Sequence, residues 1–116
     1  MKKSTVAVAA LGLMLAGAGM FAQDKGGKGG GAGNAAKGME VFESNCSVCH
    51  NSDSTEVKVG PGLKGLFKRA TLNNKKKVSE ASVREMINMG GNGMPPYGDM
   101  ISETEKNDVI AYLKTL

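Results

Sequence analysis

Cys46-Ser47-Val48-Cys49-His50 is the stretch on which the reading of this chain turns. Two cysteines separated by two residues, with histidine directly after, have the spacing of a c-type haem attachment site. The chemistry sets that spacing. Each thiol adds across one haem vinyl group to form a thioether. The two vinyls lie along one edge of the porphyrin, so both sulfurs must project from a single turn of chain. The next residue then swings over the ring face, where an imidazole nitrogen can bind iron. The chain has two cysteines and one histidine, and this stretch uses all three.

Other readings of the pair fit less well. A redox dithiol prefers a βαβ setting, and no strand signal of useful length is found here. Structural zinc needs four ligands, and two cysteines with one adjacent histidine leave no fourth soft donor. A disulfide closing a two-residue loop would constrain little.

The amino terminus has the layout of a secretory signal peptide over residues 1–22. Lys2 and Lys3 precede an apolar run holding Leu11, Leu13, Met14 and Leu15, and small residues follow. The alternative is an uncleaved anchor. Val6 to Ala22 gives 17 residues without a charge, at the low edge of a spanning helix, with Gly12, Gly17 and Gly19 inside it. Export to the periplasm is expected, with a membrane-anchored form facing the periplasm if residues 1–22 are retained. Export suits haem attachment, because it removes the thiols from reducing cytosolic systems.

The full chain carries 15 basic and 11 acidic side chains, for +4. Residues 1–22 contain Lys2, Lys3 and no acid, so the remainder has 13 basic and 11 acidic groups, for +2. Nucleic-acid binding calls for a larger basic excess and stacking aromatics, and there are no tryptophans and two tyrosines. Residues 23–34 are glycine-rich and read as a flexible linker. A phosphate-binding loop would need a Lys-Ser/Thr ending and a preceding strand. The folded unit expected is 35–116, one small all-α domain with a limited core. A buried haem would be its largest apolar body.

Three helices are expected. The first runs from about Ala35 to Cys49, with Ala35, Met39, Phe42, Cys46 and Cys49 on one face. The second runs from near Ser79 to about Met89, with Val83, Met86 and Ile87 as its stripe and Gly90 as terminator. The third opens on the capping box Ser102-Glu103-Thr104-Glu105, and Val109, Tyr112, Leu113 and Leu116 line its apolar face.

With no second histidine, methionine is the natural second axial ligand. Met39, Met86, Met89, Met94 and Met100 lie beyond the signal segment. Met39 and Met86 fall on helix stripes and read as core. Met94 sits in Gly90-Gly91-Asn92-Gly93-Met94-Pro95-Pro96-Tyr97-Gly98, which can be neither helix nor central strand. Glycines permit close approach to a porphyrin, and two prolines stiffen the loop against loss of a weak iron–thioether bond. Met94 is the leading candidate, with Met100 and then Met89 behind it.

At this point the chain resembles a class I monohaem cytochrome c in an exported bacterial form. Gly38-x-x-x-Phe42-x-x-x-Cys46-x-x-Cys49-His50 is similar to the family's first helix running into the haem motif. The segment Gly60-Pro61-Gly62-Leu63-Lys64-Gly65-Leu66-Phe67-Lys68-Arg69 resembles the mitochondrial-type sequence after the haem histidine. Met94-Pro95 resembles the methionine loop, and Ala111-Tyr112-Leu113 the last helix. Thr71 to Val78 is shorter than in the mitochondrial proteins and lacks their tryptophan. There it is more like the cytochrome domains attached to oxidase subunit II.

The resemblance implies one haem c held through Cys46 and Cys49, with His50 and Met94 on the iron. It implies that the Pro61 carbonyl accepts the other imidazole N–H and that Leu63 packs on the haem. It implies that Gly38 lets the first and last helices cross near Tyr112. Arg69 matches an arginine near a haem propionate; on the residues alone, a solvated surface charge is an equal reading. The function implied is single-electron transfer by a monomeric carrier or small cytochrome subunit, not an enzyme in itself. A peroxidase or gas sensor with a displaceable methionine is the alternative. Lys64, Lys68, Arg69 and Lys75 to Lys77 form the densest basic segment, suited to weak docking on an acidic redox partner.

Overall fold

Asn34 starts the first helix. Its side-chain oxygen accepts from the Lys37 amide at 3.1 Å, satisfying one of the donors a helix start leaves over. The computed structural model describes residues 32–116. The segment 1–22 and most of the linker expected over 23–34 lie outside the described residues. Helix α1 spans Ala35–Asn45, α2 Glu80–Met89 and α3 Glu103–Leu113, with one short 3₁₀ turn at Leu66–Lys68. Among the described residues there are two isolated β-bridges, Thr71 with Lys77 and Gly91 with Met94, and no strand. The fold is all-α. No helix of the described residues is long and apolar enough to cross a membrane.

Helix α1 ends at Asn45, four residues short of the expected Cys49. The Phe42 carbonyl accepts both the Cys46 amide at 2.7 Å and the Ser47 amide at 2.9 Å. The Cys46 carbonyl then takes the amides of Cys49 and His50 at 3.0 and 2.9 Å. The chain therefore coils on as a tight turn rather than as α-helix. No glycine or proline marks this stop, so residue pattern carries no sign of it.

The buried face of α1 is Gly38, Val41 and Phe42, whereas Met39, expected in the core, is 48% exposed. Closest approach to α3 sets that face. A Cβ placed on Gly38 would lie 1.9 Å from the Asp108 carbonyl oxygen and 2.8 Å from Tyr112 Cβ. Glycine has no side chain for hydropathy to register, so periodicity put the stripe one residue away. Phe42 is then fully buried and meets the Tyr112 ring at 5.5 Å between centroids. Burying such a side chain contributes roughly 1.5–3 kcal/mol.

The core is completed by Leu66, Val83, Ile87, Ile101, Val109, Ile110 and Leu113. Helix α3 is packed by both α1 and α2, so its buried arc widens to include Lys106, Asp108 and Ile110, which the apolar stripe omitted. Both later helices begin with reciprocal side-chain caps, at Ser79 with Ser82 and at Ser102 with Glu105. The amide and hydroxyl of Ser102 hold the Glu105 carboxyl below its usual range, and the Lys114 ammonium does so for Glu80. A carboxylate lowered in the fold contributes stability above its unfolded value of 4.5 and loses it as pH falls through the folded value. Glu80 is exposed and Glu105 only half-buried, so solvent screening keeps the effect small.

The linker boundary expected after residue 34 falls inside these contacts. The Asn34 amide donates to Asp108 at 2.7 Å, and a Cβ on Gly33 would strike the Asn107 carbonyl. Gly33 and Asn34 pack with α3 as part of the folded unit.

Candidate functional site

Three loops and one helix face enclose a cavity of about 400 Å³. The turn after α1 brings Cys46, Cys49 and His50 to it. The segment after His50 brings Gly60, Pro61, Leu63 and Leu66, then Arg69, Leu72 and Asn73. Helix α2 contributes Val83, Met86 and Ile87, and the loop after it Gly91 to Pro95 and Tyr97. All seven residues singled out in the sequence, Cys46, Cys49, His50, Pro61, Leu63, Arg69 and Met94, line this one space.

The imidazole is held from behind. His50 Nδ1 lies 2.8 Å from the Pro61 carbonyl oxygen. A carbonyl can only accept, so Nδ1 carries the proton and the Nε2 lone pair is left for a metal. Gly60 makes this fit possible. A Cβ there would sit 2.5 Å from His50 Cε1 and 2.9 Å from Nδ1. The Gly60 amide also donates to the Cys49 carbonyl at 2.7 Å, and the Leu63 amide to the Asn51 carbonyl at 2.7 Å. These bonds clip the glycine-rich segment onto the haem motif. Pro61 was visible in the sequence; the need for glycine before it was not, because that need arises only where two segments meet.

Arg69 is committed at one end. Its Nη2 donates to the carbonyls of Gly62 at 2.7 Å and Lys64 at 2.8 Å. The guanidinium thus ties its own loop while bordering the cavity, and it is not a free surface charge. Burial and the neighbouring Cys49 thiol push the Cys46 thiol up to about 11.

The methionines divide cleanly. Met86 and Met94 line the cavity. Met89 and Met100, the reserve candidates, are 73% and 65% exposed and do not border it. Met94 closes a two-residue hairpin: its amide donates to Gly91 at 3.0 Å and its carbonyl accepts from Gly91 at 2.9 Å. Asn92 and Gly93 fill the turn with φ of 52° and 90°, the positive pair that Asn-Gly adopts readily. Tyr97, which the sequence reading left without a role, anchors the far end of the loop through a hydroxyl bond to the Asn45 carbonyl at 3.1 Å.

The residues present fit a haem c. Two thiols and one oriented imidazole converge on a space of ligand size walled mostly by aliphatic side chains. A thioether borders the same space, and none of its lining residues is a carboxylate.

Known proteins show which family this fold belongs to. The sequence profile of the family described as cytochrome c oxidase, cbb3-type, subunit III matches residues 33–113. Cytochrome c6 of Leptolyngbya boryana is 34% identical over 80 residues, which cover 69% of this chain and 89% of that protein. Cytochrome c6 of a Synechocystis strain is 32% identical over 82 residues, covering 71% of this chain and 65% of that protein, just under two thirds of its length. Cytochrome c oxidase subunit 2 of Alkalihalophilus pseudofirmus is 36% identical, but only 25% of its length is covered. The solved structure of cytochrome c6 from the diatom Phaeodactylum tricornutum superposes with a TM-score of 0.58 at 25% identity, over 72% of this chain and 93% of that one. The chain belongs to the cytochrome c-type domain family, as a class I monohaem cytochrome c.

Proposed function

We propose that this chain carries one haem c through Cys46 and Cys49, with His50 and Met94 as axial ligands, and passes single electrons between larger redox proteins. The observation that carries the reading is the 2.8 Å bond from His50 Nδ1 to the Pro61 carbonyl, because it leaves Nε2 aimed by a fixed ring. Haem iron, when bound, supplies a one-electron couple, and thioether ligation favours its reduced state.

The chain's own residues do the rest. Cys46 and Cys49 tether the cofactor, and Pro61 fixes the tautomer of His50. Leu63, Leu66, Val83 and Ile87 keep water from the site. The Gly91–Met94 hairpin holds the thioether against loss. Peroxidase chemistry would need an open position and a distal acid–base group. The cavity wall offers neither a second histidine nor a carboxylate.

Likeness to cytochrome c6 and to an oxidase subunit supports a carrier, or a small subunit, that is not an enzyme by itself. The reading places the mature protein outside the cytosol, in the periplasm or an equivalent space. Lys64, Lys68, Lys75 and Lys77 are exposed on one stretch of chain, and Lys76 pairs with Glu85. This stretch suits brief, salt-sensitive association with an acidic redox partner.

Co-expression with a haem-attachment system tests the reading. One haem mass should stay on the chain through acidic acetone, and Cys46→Ala or Cys49→Ala should impair attachment. The oxidised protein should show the iron–sulfur absorption band. Met94→Ala should abolish that band and let ferrous protein bind carbon monoxide, while Met100→Ala leaves both unchanged. A band that survives Met94→Ala would move the assignment to Met86, the other thioether on the cavity. Haem stripped completely from the wild type would overturn the whole reading.

A further inference from the structure

Lys106, the fourth residue of α3, is 3% exposed. A buried ammonium is costly unless its donors are matched, and a methionine would fill the same space without that cost. The ammonium is matched by two acceptors. Nζ donates to the Gly98 carbonyl at 2.8 Å and to Glu103 Oε1 at 2.6 Å. Glu103 belongs to α3 itself, but Gly98 ends the loop that carries Met94.

The loop is pinned to all three helices at this end. To α2 it is held by the Tyr97 amide on the Ile87 carbonyl at 2.8 Å and the Gly98 amide on the Asn88 carbonyl at 3.2 Å. To α1 it is held by the Tyr97 hydroxyl. To α3 it is held by Lys106, the one charged side chain among these ties. Between the pins and Met94 stand Pro95 and Pro96, whose φ angles are fixed. Two prolines transmit position, so displacement of Gly98 displaces Met94. We propose that Lys106 is a positioning residue for the iron's thioether, clamping the Met94 loop shut through the Gly98 carbonyl. This rests on the reading of Met94 as axial ligand.

The clamp predicts a specific defect. Without the ammonium the fold remains but the loop opens more often, and each opening exposes the sixth iron position to an added ligand. The loss of one charge-assisted hydrogen bond corresponds to about a tenfold or greater rise in the open fraction. The experiment uses the haem-loaded full chain in its ferric form, with imidazole as the probe, well below every melting temperature.

Lys106→Met should take up imidazole about tenfold faster or more, and its iron–sulfur band should weaken on warming before the helices melt. Lys106→Arg, which restores a cation with reach, should return near the wild-type rate. Asn34→Ala serves as the comparison, because it loses a helix cap elsewhere and touches no part of the loop. It should lower the melting temperature and leave the imidazole rate alone. If Lys106→Met binds imidazole at the wild-type rate, or no faster than Asn34→Ala, the proposal is overturned. Should Lys106→Met not fold, Lys106→Gln is read by the same criteria. Met94→Ala separates the two readings. If it is fast and Lys106→Met is not, only the clamp falls. If Met94→Ala is no faster than wild type, the ligand assignment falls and takes the clamp with it.

Discussion

At the scale of single residues, the haem motif states its chemistry and its neighbours state its geometry. Cys46, Cys49 and His50 can be found by inspection because their types and spacing are rare together. Gly60 cannot, although it decides where the imidazole lies. It has no positive φ to demand glycine, so the constraint is purely steric. Gly60→Ala should force the ring away from a Cβ otherwise 2.5 Å from Cε1, stretching the bond from Nδ1 to Pro61. The expected outcome is a lower yield of haem-loaded protein and a shifted potential, with the iron–histidine vibration moved in resonance Raman spectra. An unchanged vibration and yield would mean that the segment relaxes at no cost. Arg69 teaches a related lesson. Sequence left it between a propionate partner and a solvated charge, and its Nη2 holds two backbone carbonyls of its own loop.

At the scale of elements, the helix starts were the most legible feature and the helix faces the least. Ser102 and Glu105 cap as their pattern implies, and α2 starts at the expected place, because capping is local and depends on three or four consecutive residues. The face of α1 depends on what crosses it. Gly38 brings the α1 backbone against Asp108, and Met39 is turned outward as a result. Gly38→Ala should therefore be severe despite alanine's better helix propensity. Overpacking of this kind costs about 1–3 kcal/mol or more, against roughly 1 kcal/mol gained from propensity. Thermal melting of the haem-loaded variant should fall clearly below wild type. A rise in melting temperature would show that the two helices can move apart freely.

At the scale of the whole molecule, the domain begins earlier than composition indicates. The glycine-rich stretch offers nothing to bury, yet Gly33 and Asn34 pack on α3. A chain starting at Ala35 loses the Asn34 cap and the bond to Asp108. The cap alone is worth about 1 kcal/mol. For a domain of this size that is roughly a 4–8 °C fall in melting temperature. A chain starting at Ala32 should melt with the full-length protein. Equal melting of the two truncated forms would place the boundary after Asn34 instead. Among the described residues the core has nine buried aliphatic and aromatic side chains, and three of them, Leu66, Val83 and Ile87, also wall the cavity, which fits a fold completed by its cofactor.

The residues by themselves pointed to a haem-attachment motif, an all-α architecture and Cys46, Cys49, His50 and Met94 at the site. Each of these follows from local chemistry: thiol spacing, capping patterns, and a loop that glycine and proline bar from regular structure. The tertiary structure decided the rest. It ended α1 at Asn45, turned Met39 out, and set Met89 and Met100 away from the cavity. It required glycine at position 60, and it carried a buried ammonium from α3 to the Met94 loop. These depend on distances between segments remote in the chain, and such distances exist only once the helices have packed.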